Sequence, residues 1–575
     1  MKKSDDYFDV TQKRLIKKSP ATQNNQNQSV LGLKQLNPPL TTTSLGPNFR
    51  KLTKNSSTQR STSASSSPKY KSNNNPTISK NSVLLGNSIT TTQIKKRLYL
   101  GTLEGLTTQT GFESPKSICG NSASIPSEDK ADENNTAGED EESSMEPEAD
   151  LEPSGSKQMK SVPDVPPVIK RSESVKKGEL YFFSNFESGN LGRTKSISSS
   201  EYELYIRPDT NNPNYRLWFY FGVSNMKKGQ RVLFSIVNFS KAKSLYRLGM
   251  TPLVKSSSRP CWERLPEKQC YYYRMKNTKN YALSFLFEFD KDDEDYYFSY
   301  SYPYTYSDLQ KFLYNIECRK LPYFKRDLLT RTLQMRKVDL LTITEPENLQ
   351  ATNSKPSIFI TSRVHPGESP ASFLCHGFIS FLVSNHPDAK TLRQNLIFKI
   401  VPMLNPDGVF LGNYRCSSIG HDLNRYWLHP EKWAHPTIWH TRDLLLKLKR
   451  ETSLDFFIDM HAHSSASNAF MYVNHNDDIA QKDDQLAYPK LLDCKEKGFS
   501  YNDTRVCRDG SKIGTGRRAL GEILQVAKHC YTLEVSFYSF TQDSSKQVPF
   551  SQENYLEMGK NVASTFIDYY KLKKR

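Results

Sequence analysis

From about residue 304 onward, short apolar runs alternate with longer stretches of helical periodicity, and this alternation constrains the fold most. The apolar runs are SIFITSRV, LIFKIVPML, LDFFIDMHA and CYTLEVSF. They have the length and the β-branched and aromatic content of strands. Stretches such as ESPASFLCHGFISFLVS and RDLLLKLKRE lie between them and read as helices. SDLQKFLYNIE, before the first of these runs, also reads as a helix, with Ser307 as the candidate N-cap. Apolar strands separated by helices predict an α/β/α domain over residues 304–575, with a mixed, mostly parallel sheet.

Residues 176–303 have a different pattern, in which apolar and polar residues alternate over short runs. EYELYIRP, QRVLFSIVNF and NYALSFLFEF are examples, and turn residues separate them. Such alternation is typical of antiparallel strands that bury one face. We therefore expect an antiparallel β-sandwich domain before the α/β/α domain.

Residues 1–175 are rich in Ser, Thr, Asn, Gln and Pro and have almost no apolar periodicity, which predicts a disordered low-complexity arm. The chain has a net charge of +18. Residues 1–100 carry 17 basic against 3 acidic side chains, and residues 101–175 carry 6 against 16. The remaining 400 residues carry 56 against 42, so the predicted folded part is also basic. This excess of positive charge favours an anionic partner.

Several classes of protein are disfavoured by what the sequence lacks. No apolar run reaches the roughly 18 residues of a membrane-spanning helix. The start, MKKSDDYFDV, has no apolar segment of a secretory signal. Neither a phosphate-binding P-loop nor an H-E-x-x-H zinc motif occurs. The nine cysteines are scattered and form no C-x-x-C pair, so we expect reduced thiols.

All 11 histidines lie between His365 and His529, and two motifs among them follow predicted strands. The first strand leads into His365-Pro-Gly-Glu368, and another ends in His461 and His463. Imidazole nitrogens and a carboxylate form a standard zinc set that leaves a fourth position open. Because side chains alternate along a strand, His461 and His463 face the same side, and periodicity does not choose between them.

Other polar residues allow two interpretations each. Glu534, within YTLEVSF, is either a solvated residue of an edge strand or a general base beside a metal. Arg415, Asn424 and Arg425, within NYRCSSIGHDLNRYW, either form ordinary surface salt bridges or bind a carboxylate.

The order of these motifs resembles that of the zinc metallocarboxypeptidases: H-x-x-E, an Asn-Arg pair, D-M-H and a strand Glu. FESGNLGR, NFSKAKSLYR, HPGES, GNYRCSSIGHDLNR and YTLEVSFYS are similar to motifs of the cytosolic carboxypeptidase family. The resemblance covers roughly residues 177–572 and does not include residues 1–175.

The resemblance implies one Zn²⁺ per chain, held by His365, Glu368 and His461, and thereby favours His461 over His463. It implies that Glu534 is the catalytic base and that Arg415 polarises the scissile carbonyl.

The resemblance further implies that Asn424 and Arg425 bind the terminal carboxylate of the substrate. Arg517, within GTGRR, takes the position of the side-chain specificity pocket, where a cation suits an acidic residue. Gly367 departs from digestive relatives, which have Arg before the zinc-binding Glu. For the family's mobile tyrosine, Tyr501 is only a weak candidate.

By the same resemblance, the expected function is removal of C-terminal glutamates and shortening of polyglutamate side chains on tubulin and other acidic-tailed proteins. Glutamylated tubulin or microtubules would be the partner of a monomeric enzyme, with no nucleic-acid or membrane partner. The expected location is the cytoplasm, with the cytoskeleton, centriole or cilium as sites of action. The alternatives are a zinc amidohydrolase acting on small N-acyl amino acids and a microtubule-binding scaffold with an inactive site.

Overall fold

The computed structural model describes residues 176–276, 278–350, 355–451, 453–542 and 546–572. The predicted disordered arm, residues 1–175, lies outside these residues. Ten strands make up the N-terminal half of the described chain, and we call them the sandwich: β1 Tyr181–Phe183, β2 Arg193–Ser198, β3 Glu201–Tyr205, β4 Tyr220–Ser224, β5 Arg231–Phe239, β6 Leu253–Lys255, β7 Glu263–Arg264, β8 Cys270–Arg274, β9 Tyr281–Glu288 and β10 Tyr296–Ser299.

The sandwich consists of two five-stranded sheets, in the orders β1-β4-β10-β6-β7 and β2-β3-β5-β9-β8. All pairings are antiparallel except that between β3 and β5, which is parallel. Aromatic rings join the sheets: Phe298 of the first lies 5.5 Å from Phe234 and 5.6 Å from Phe285 of the second. The alternating apolar positions of the sequence therefore fill one shared interior.

The second half contains an eight-stranded sheet in the order β11-β12-β14-β13-β15-β18-β16-β17. The pairs β13–β14, β13–β15, β15–β18 and β16–β17 are parallel, and the other three are antiparallel. A hairpin of β19 and β20 stands apart from it. The strands are β11 Phe324–Arg331, β12 Lys337–Ile343, β13 Ser357–Ser362, β14 Ile397–Val401, β15 Leu454–His463, β16 Ala469–Asn474, β17 Arg505–Cys507, β18 His529–Ser536, β19 Ser539–Gln542 and β20 Lys546–Pro549.

Helices cover both faces of the large sheet. The α-helices are α1 Tyr306–Glu317, α2 Ser369–Leu382, α3 Pro387–Asn395, α4 Pro406–Leu411, α5 Pro436–Glu451, α6 Ile479–Asp493, α7 Gly516–Arg518 and α8 Gln552–Tyr569. Short 3₁₀ turns span Leu245–Leu248, Glu267–Gln269, Pro346–Leu349, Leu423–Arg425, Tyr501–Asp503 and Gly510–Lys512, and a π-helical turn spans Ala519–Ile523.

Neighbouring residues of the central strands point to opposite layers. Ile358 and Ile360 of β13 join the core formed with α2, α6 and α8, whereas Phe359 joins the core formed with α5. Burial on both faces explains why these strands read as continuous apolar runs.

Helices α2 and α8 cross at unusually short range. A Cβ added to Gly377 would lie 2.0 Å from the Leu556 carbonyl oxygen, and one added to Gly559 would lie 2.0 Å from that of Leu374. Two glycines therefore let the two backbones touch, and α8 fixes the position of α2 against the sheet.

The expected architecture is confirmed: antiparallel sheets precede a mixed sheet that is enclosed by helices. The boundaries at 176–303 and 304–575 stay predictions. One local expectation was wrong, because Thr305 rather than Ser307 caps α1. The Thr305 hydroxyl accepts from the Asp308 N–H, and the Asp308 carboxylate accepts from the Thr305 N–H, which is a complete capping box. Within the described ranges, no helix is both long and apolar enough to cross a membrane.

Candidate active site

Three neighbouring strands of the large sheet carry polar residues toward one edge. His365 and Glu368 lie in the turn between β13 and α2, and His461 lies near the end of β15. Glu534 of β18 stands directly opposite His461 in the parallel register. The carboxyl ends of adjacent parallel strands are where α/β folds place their ligand sites.

His365, Glu368 and His461 form a compact, buried cluster, with exposed fractions of 4%, 5% and 2%. The Glu368 carboxylate lies between the imidazoles: Oε1 is 2.8 Å from Nδ1 of His365, and Oε2 is 3.0 Å from Nδ1 of His461. The Ala462 N–H also donates to Oε2, at 3.0 Å. One ligand atom from each of the three residues lies within 4.8 Å of the other two.

An aspartate holds the far nitrogen of each histidine. Nε2 of His365 lies 3.1 Å from Asp422 Oδ1, and Nε2 of His461 lies 2.7 Å from Asp459 Oδ2. Such carboxylate partners fix the orientation of each ring, with Nδ1 toward the cluster, and with a metal bound they would also fix the tautomer. Burial opposes charge on His461, but the Asp459 and Glu368 carboxylates raise its pKa well above the ordinary value.

The donor set fits zinc. Two imidazole nitrogens and one carboxylate are a standard zinc set with one open position. Burial would raise the pKa of Glu368, but His365 and His461 hold it well below its usual range, so the carboxylate is ionised. His463, the alternative that the sequence left open, does not join the cluster. Its Nε2 instead lies 3.1 Å from the Asn468 carbonyl oxygen, and burial lowers its pKa to about 4.

Glu534 belongs to an interior strand, since β18 lies between β15 and β16. The interpretation as a solvated residue of an edge strand was therefore wrong. Its carboxyl group lines a cleft that also contains the three cluster residues. Burial raises the pKa of Glu534 to about 7. A carboxyl group with this pKa takes up and releases a proton readily near neutral pH, as a general base must.

Arg415 reaches the cleft from the loop after α4, and its side chain is oriented by an ion pair. Its Nε donates to Asp422 Oδ2 at 2.7 Å, and Asp422 also contacts His365. Burial disfavours the charge, but Asp422 and Glu368 raise the pKa of Arg415. One aspartate thus couples the guanidinium to the metal-ligand candidate.

The backbone that carries Arg415 is held by the sandwich. Asp209, which is 2% exposed, accepts three hydrogen bonds through its carboxylate: from the N–H of Tyr414 at 2.6 Å, of Arg415 at 2.7 Å and of Cys416 at 2.8 Å. Asn413 continues the contact, since its Oδ1 accepts from the Thr210 N–H at 3.0 Å. A carboxylate with three N–H donors is a strong, directional anchor.

The same loop touches the sandwich at two glycines of positive φ. Gly412 has φ +74°, and a Cβ there would lie 2.5 Å from the Gly189 carbonyl oxygen. Gly420 has φ +84°, and a Cβ there would lie 2.5 Å from the Asn211 carbonyl oxygen. Side chains at these two positions would push the loop away from the sandwich.

Asn424 and Arg425 lie beside the cluster, in the 3₁₀ turn Leu423–Arg425. Asn424 Oδ1 accepts from the Gly516 N–H at 3.0 Å, and its Nδ2 is 3.4 Å from Nε2 of His461. Nη1 of Arg425 donates to the Asn424 carbonyl at 2.8 Å. The Arg425 side chain stays about one-third exposed and lines the cleft.

Arg517 also lines the cleft and is only 3% exposed. Its guanidinium donates to Asn474 Oδ1 and lies 5.9 Å from the centroid of the Tyr472 ring. Burial lowers its pKa, and no carboxylate of the described residues forms an ion pair with it. A buried cation with neutral partners is a suitable site for an anionic group.

The cleft has a volume of about 660 Å³. Tyr501 is not among its lining residues, so nothing supports it as the mobile tyrosine. Basic side chains outnumber acidic ones in the lining. The former are Lys241, Arg415, Arg425, Arg505, Lys512 and Arg517, and the latter are Glu368, Asp509 and Glu534.

All eight residues expected from the sequence therefore line one cleft, but four supporting residues were missed. Asp422 and Asp459 each stand two residues before a predicted site residue, and this spacing is the signal that could have found them. Asp209 lies some 200 residues from the loop that it holds, and no local pattern indicates it. Arg363, which is 2% exposed, donates from Nε to the Pro366 carbonyl at 2.7 Å and thereby fixes the turn before Glu368.

Comparisons with known proteins agree with this geometry. The family model described as cytosolic carboxypeptidase N-terminal domain matches residues 182–301, and that described as zinc carboxypeptidase matches residues 312–491. A protein named cytosolic carboxypeptidase 6 from Mus musculus is 55% identical over 405 residues, which are 70% of this chain and 75% of the relative. The chain belongs to the cytosolic carboxypeptidase family. The resemblance of the sequence motifs to this family is thus confirmed.

Two further relatives show how far the likeness extends. Cytosolic carboxypeptidase 6 from Caenorhabditis elegans is 45% identical, over 68% of this chain and 88% of the relative. The crystal structure of a metallo-carboxypeptidase from Burkholderia cenocepacia shares the fold, with a TM-score of 0.59 at 22% identity. The superposition covers 68% of this chain and 99% of the chain in that structure. The protein is accordingly a zinc carboxypeptidase by family, and it shares its fold with this solved structure.

Proposed function

We propose that this zinc carboxypeptidase removes C-terminal glutamates from proteins and shortens polyglutamate side chains, with glutamylated tubulin as its main substrate. The observation that carries the proposal is Arg517, a buried guanidinium in the cleft that lacks a carboxylate partner among the described residues. A substrate glutamate would supply the missing charge. The surplus of basic residues in the lining would also attract acidic protein tails and speed their encounter.

The terminal residue is held at both of its acidic groups in this proposal. Arg425 and the Asn424 amide bind the α-carboxylate, which restricts the enzyme to chain ends. Arg517 binds the side-chain carboxylate. Arg415, oriented by Asp422, donates hydrogen bonds to the carbonyl oxygen of the scissile bond. Removing one such donor typically lowers kcat by about 10²–10³-fold.

His365, Glu368 and His461 would hold the zinc ion, which supplies Lewis-acid polarisation and lowers the pKa of water when bound. Glu534 is the base: its carboxylate takes a proton from the attacking water and delivers it to the leaving amine nitrogen. Its pKa of about 7 suits both transfers near neutral pH.

We propose that the enzyme acts in the cytosol as a monomer on microtubules, including those of centrioles and cilia. The family name and the proposed acidic substrate support this location. We expect no nucleic-acid or membrane partner.

The test is mass spectrometry of glutamylated tubulin peptides before and after treatment with the purified, zinc-loaded protein. We expect release of free glutamate, and a loss of at least about 100-fold in rate for Glu534→Gln. Glu496→Gln is the matched control, since Glu496 is a buried carboxyl group that does not line the cleft.

Absence of glutamate release by the wild type, or undiminished release by Glu534→Gln, would contradict the proposal. Hydrolysis of N-acetyl-aspartate without cleavage of a Glu-ending peptide would favour the amidohydrolase instead.

A further inference from the structure

Lys241 is the residue of the cleft lining that the sandwich contributes, and it has no part in the proposed chemistry so far. It lies two residues after the end of β5, and the Tyr272 hydroxyl donates to its carbonyl oxygen. Its ammonium group therefore enters the cleft from the opposite half of the molecule to the residues assigned above.

The partners of the Lys241 ammonium are neutral. It donates to the hydroxyl of Ser464, which is buried, and it lies 5.8 Å from the centroid of the Tyr414 ring. No carboxylate of the described residues forms an ion pair with it. An ammonium group has three N–H donors, so two remain for another acceptor. A cation that is partly buried and lacks a counter-ion favours an anion in the adjoining space.

The position of Lys241 separates it from the pocket of Arg517. Arg517 contacts Asn474 and Tyr472, and Lys241 shares neither partner. Lys241 instead lies against Tyr414 and Ser464. These residues flank the segments that carry Arg415 and the metal-ligand candidate His461.

Gly367, the residue before Glu368, has no room for a side chain. A Cβ on Gly367 would lie 2.6 Å from Cδ2 of Tyr414 and 2.9 Å from the Tyr414 carbonyl oxygen. The Gly367 N–H donates to that carbonyl at 2.8 Å, which fixes the contact. The turn before Glu368 therefore cannot place a basic side chain beside Tyr414. The ammonium group of Lys241, from the sandwich, lies against the Tyr414 ring instead.

We propose that Lys241 binds a second carboxylate of the substrate, on the residue next to the terminal glutamate, and so makes the enzyme select runs of acidic residues. This inference rests on the proposed function and adds a second recognition point to it. An acidic peptide satisfies Arg517 and Lys241 together, whereas a chain with a single terminal glutamate satisfies only Arg517.

The experiment uses the zinc-loaded full chain and two peptides that end in Glu-Glu or Gln-Glu and are otherwise identical. The kcat/KM ratio between the two peptides is measured for the wild type, Lys241→Met, Lys241→Arg and Lys243→Met. Lys243 is an exposed neighbour that does not line the cleft, so it provides the matched control. Because the ratio is taken within one preparation, partial misfolding of a variant does not affect it.

We expect the wild type, Lys241→Arg and Lys243→Met to prefer Glu-Glu by about tenfold, the size of one charge-assisted hydrogen bond. The ratio for Lys241→Met should fall to about one. A ratio near ten in Lys241→Met overturns the inference and leaves the proposed function standing. If the wild type releases glutamate from neither peptide, the proposed function fails, and this inference fails with it.

Discussion

The two halves of the described chain build the cleft in different ways. The half with the large sheet places His461 and Glu534 on adjacent strands, where backbone pairing fixes their spacing. The sandwich acts from its loops: Asp209 holds the backbone of Arg415, and Lys241 enters the cleft directly. Strands thus fix the spacing between one metal-ligand candidate and the base, and loops from the sandwich hold and extend the rest of the cleft. The sandwich is therefore part of the active site rather than an appendage.

The largest expected effect concerns the residues on the strands. His461→Ala should reduce bound zinc from about one per chain to less than about a tenth, because it removes a ligand from a three-residue set. His463→Ala should keep its zinc, since His463 faces Asn468 rather than the cluster. Metal analysis of the purified variants checks both. Equal zinc content in the two variants would contradict the assignment.

The next effect tests whether the sandwich supports catalysis. Asp209→Asn should lower kcat/KM by about 10–100-fold while zinc stays bound, because an amide accepts the three N–H groups less well than a carboxylate. Steady-state kinetics and metal analysis measure the two effects. Asp292→Asn changes an exposed aspartate of the sandwich outside the cleft, and it should have wild-type kinetics. Wild-type activity in Asp209→Asn would contradict a role of the sandwich in positioning Arg415 for catalysis.

A smaller effect separates backbone strain from contact between the halves. Gly412 and Gly229 have nearly the same positive φ, +74° and +76°, but a Cβ on Gly229 would meet nothing within 4 Å. Gly229→Ala should cost about 1 kcal/mol in the free energy of unfolding, from φ alone. Gly412→Ala should cost about 2–4 kcal/mol, because its Cβ would also clash with the Gly189 carbonyl. Urea unfolding measures both, and equal losses would contradict a tight contact.

The smallest effect depends on pH. His376 of α2 stacks on Phe312 at 3.6 Å and lies near Tyr304, and burial lowers its pKa to about 4. Unfolded histidine has a pKa of about 6.5, so the unfolded chain binds more protons between these values. The free energy of unfolding should therefore fall as the pH drops from about 6.5 to about 4. His376→Phe should make this fall less steep, because it removes up to about one proton from the number taken up on unfolding. Identical slopes in the two proteins would rule out this contribution.

Local sequence patterns predicted the strands and helices well, because each element has a single repeat of apolar residues along its own segment. The four apolar runs became β13, β14, β15 and β18, and the residues expected at their ends line one cleft. The choice between His461 and His463 required the turn that carries Glu368, which alternation along one strand does not describe.

Contacts between segments that are distant in sequence could not be predicted, because local patterns do not describe how the two halves pack together. Asp209 and Arg415 are 206 residues apart, and only the docking of the sandwich brings them together. The N-cap of α1 was misplaced by two residues, because Thr305 and Ser307 both offer a hydroxyl and each has a polar side chain three residues on, Asp308 and Gln310. In the structure Asp308 closes the capping box, whereas Gln310 donates to Asp339.

The glycine contact between α2 and α8 has a consequence for how the enzyme comes into being. Glu368 stands at the start of α2, and α2 is seated by a helix that spans residues 552–569. During synthesis, the ribosome makes the metal-ligand candidates long before it makes their last support. A nascent chain that has passed His461 but lacks α8 holds an incomplete centre. Activity should therefore arise only after residues 552–569 have been made and have packed against α2.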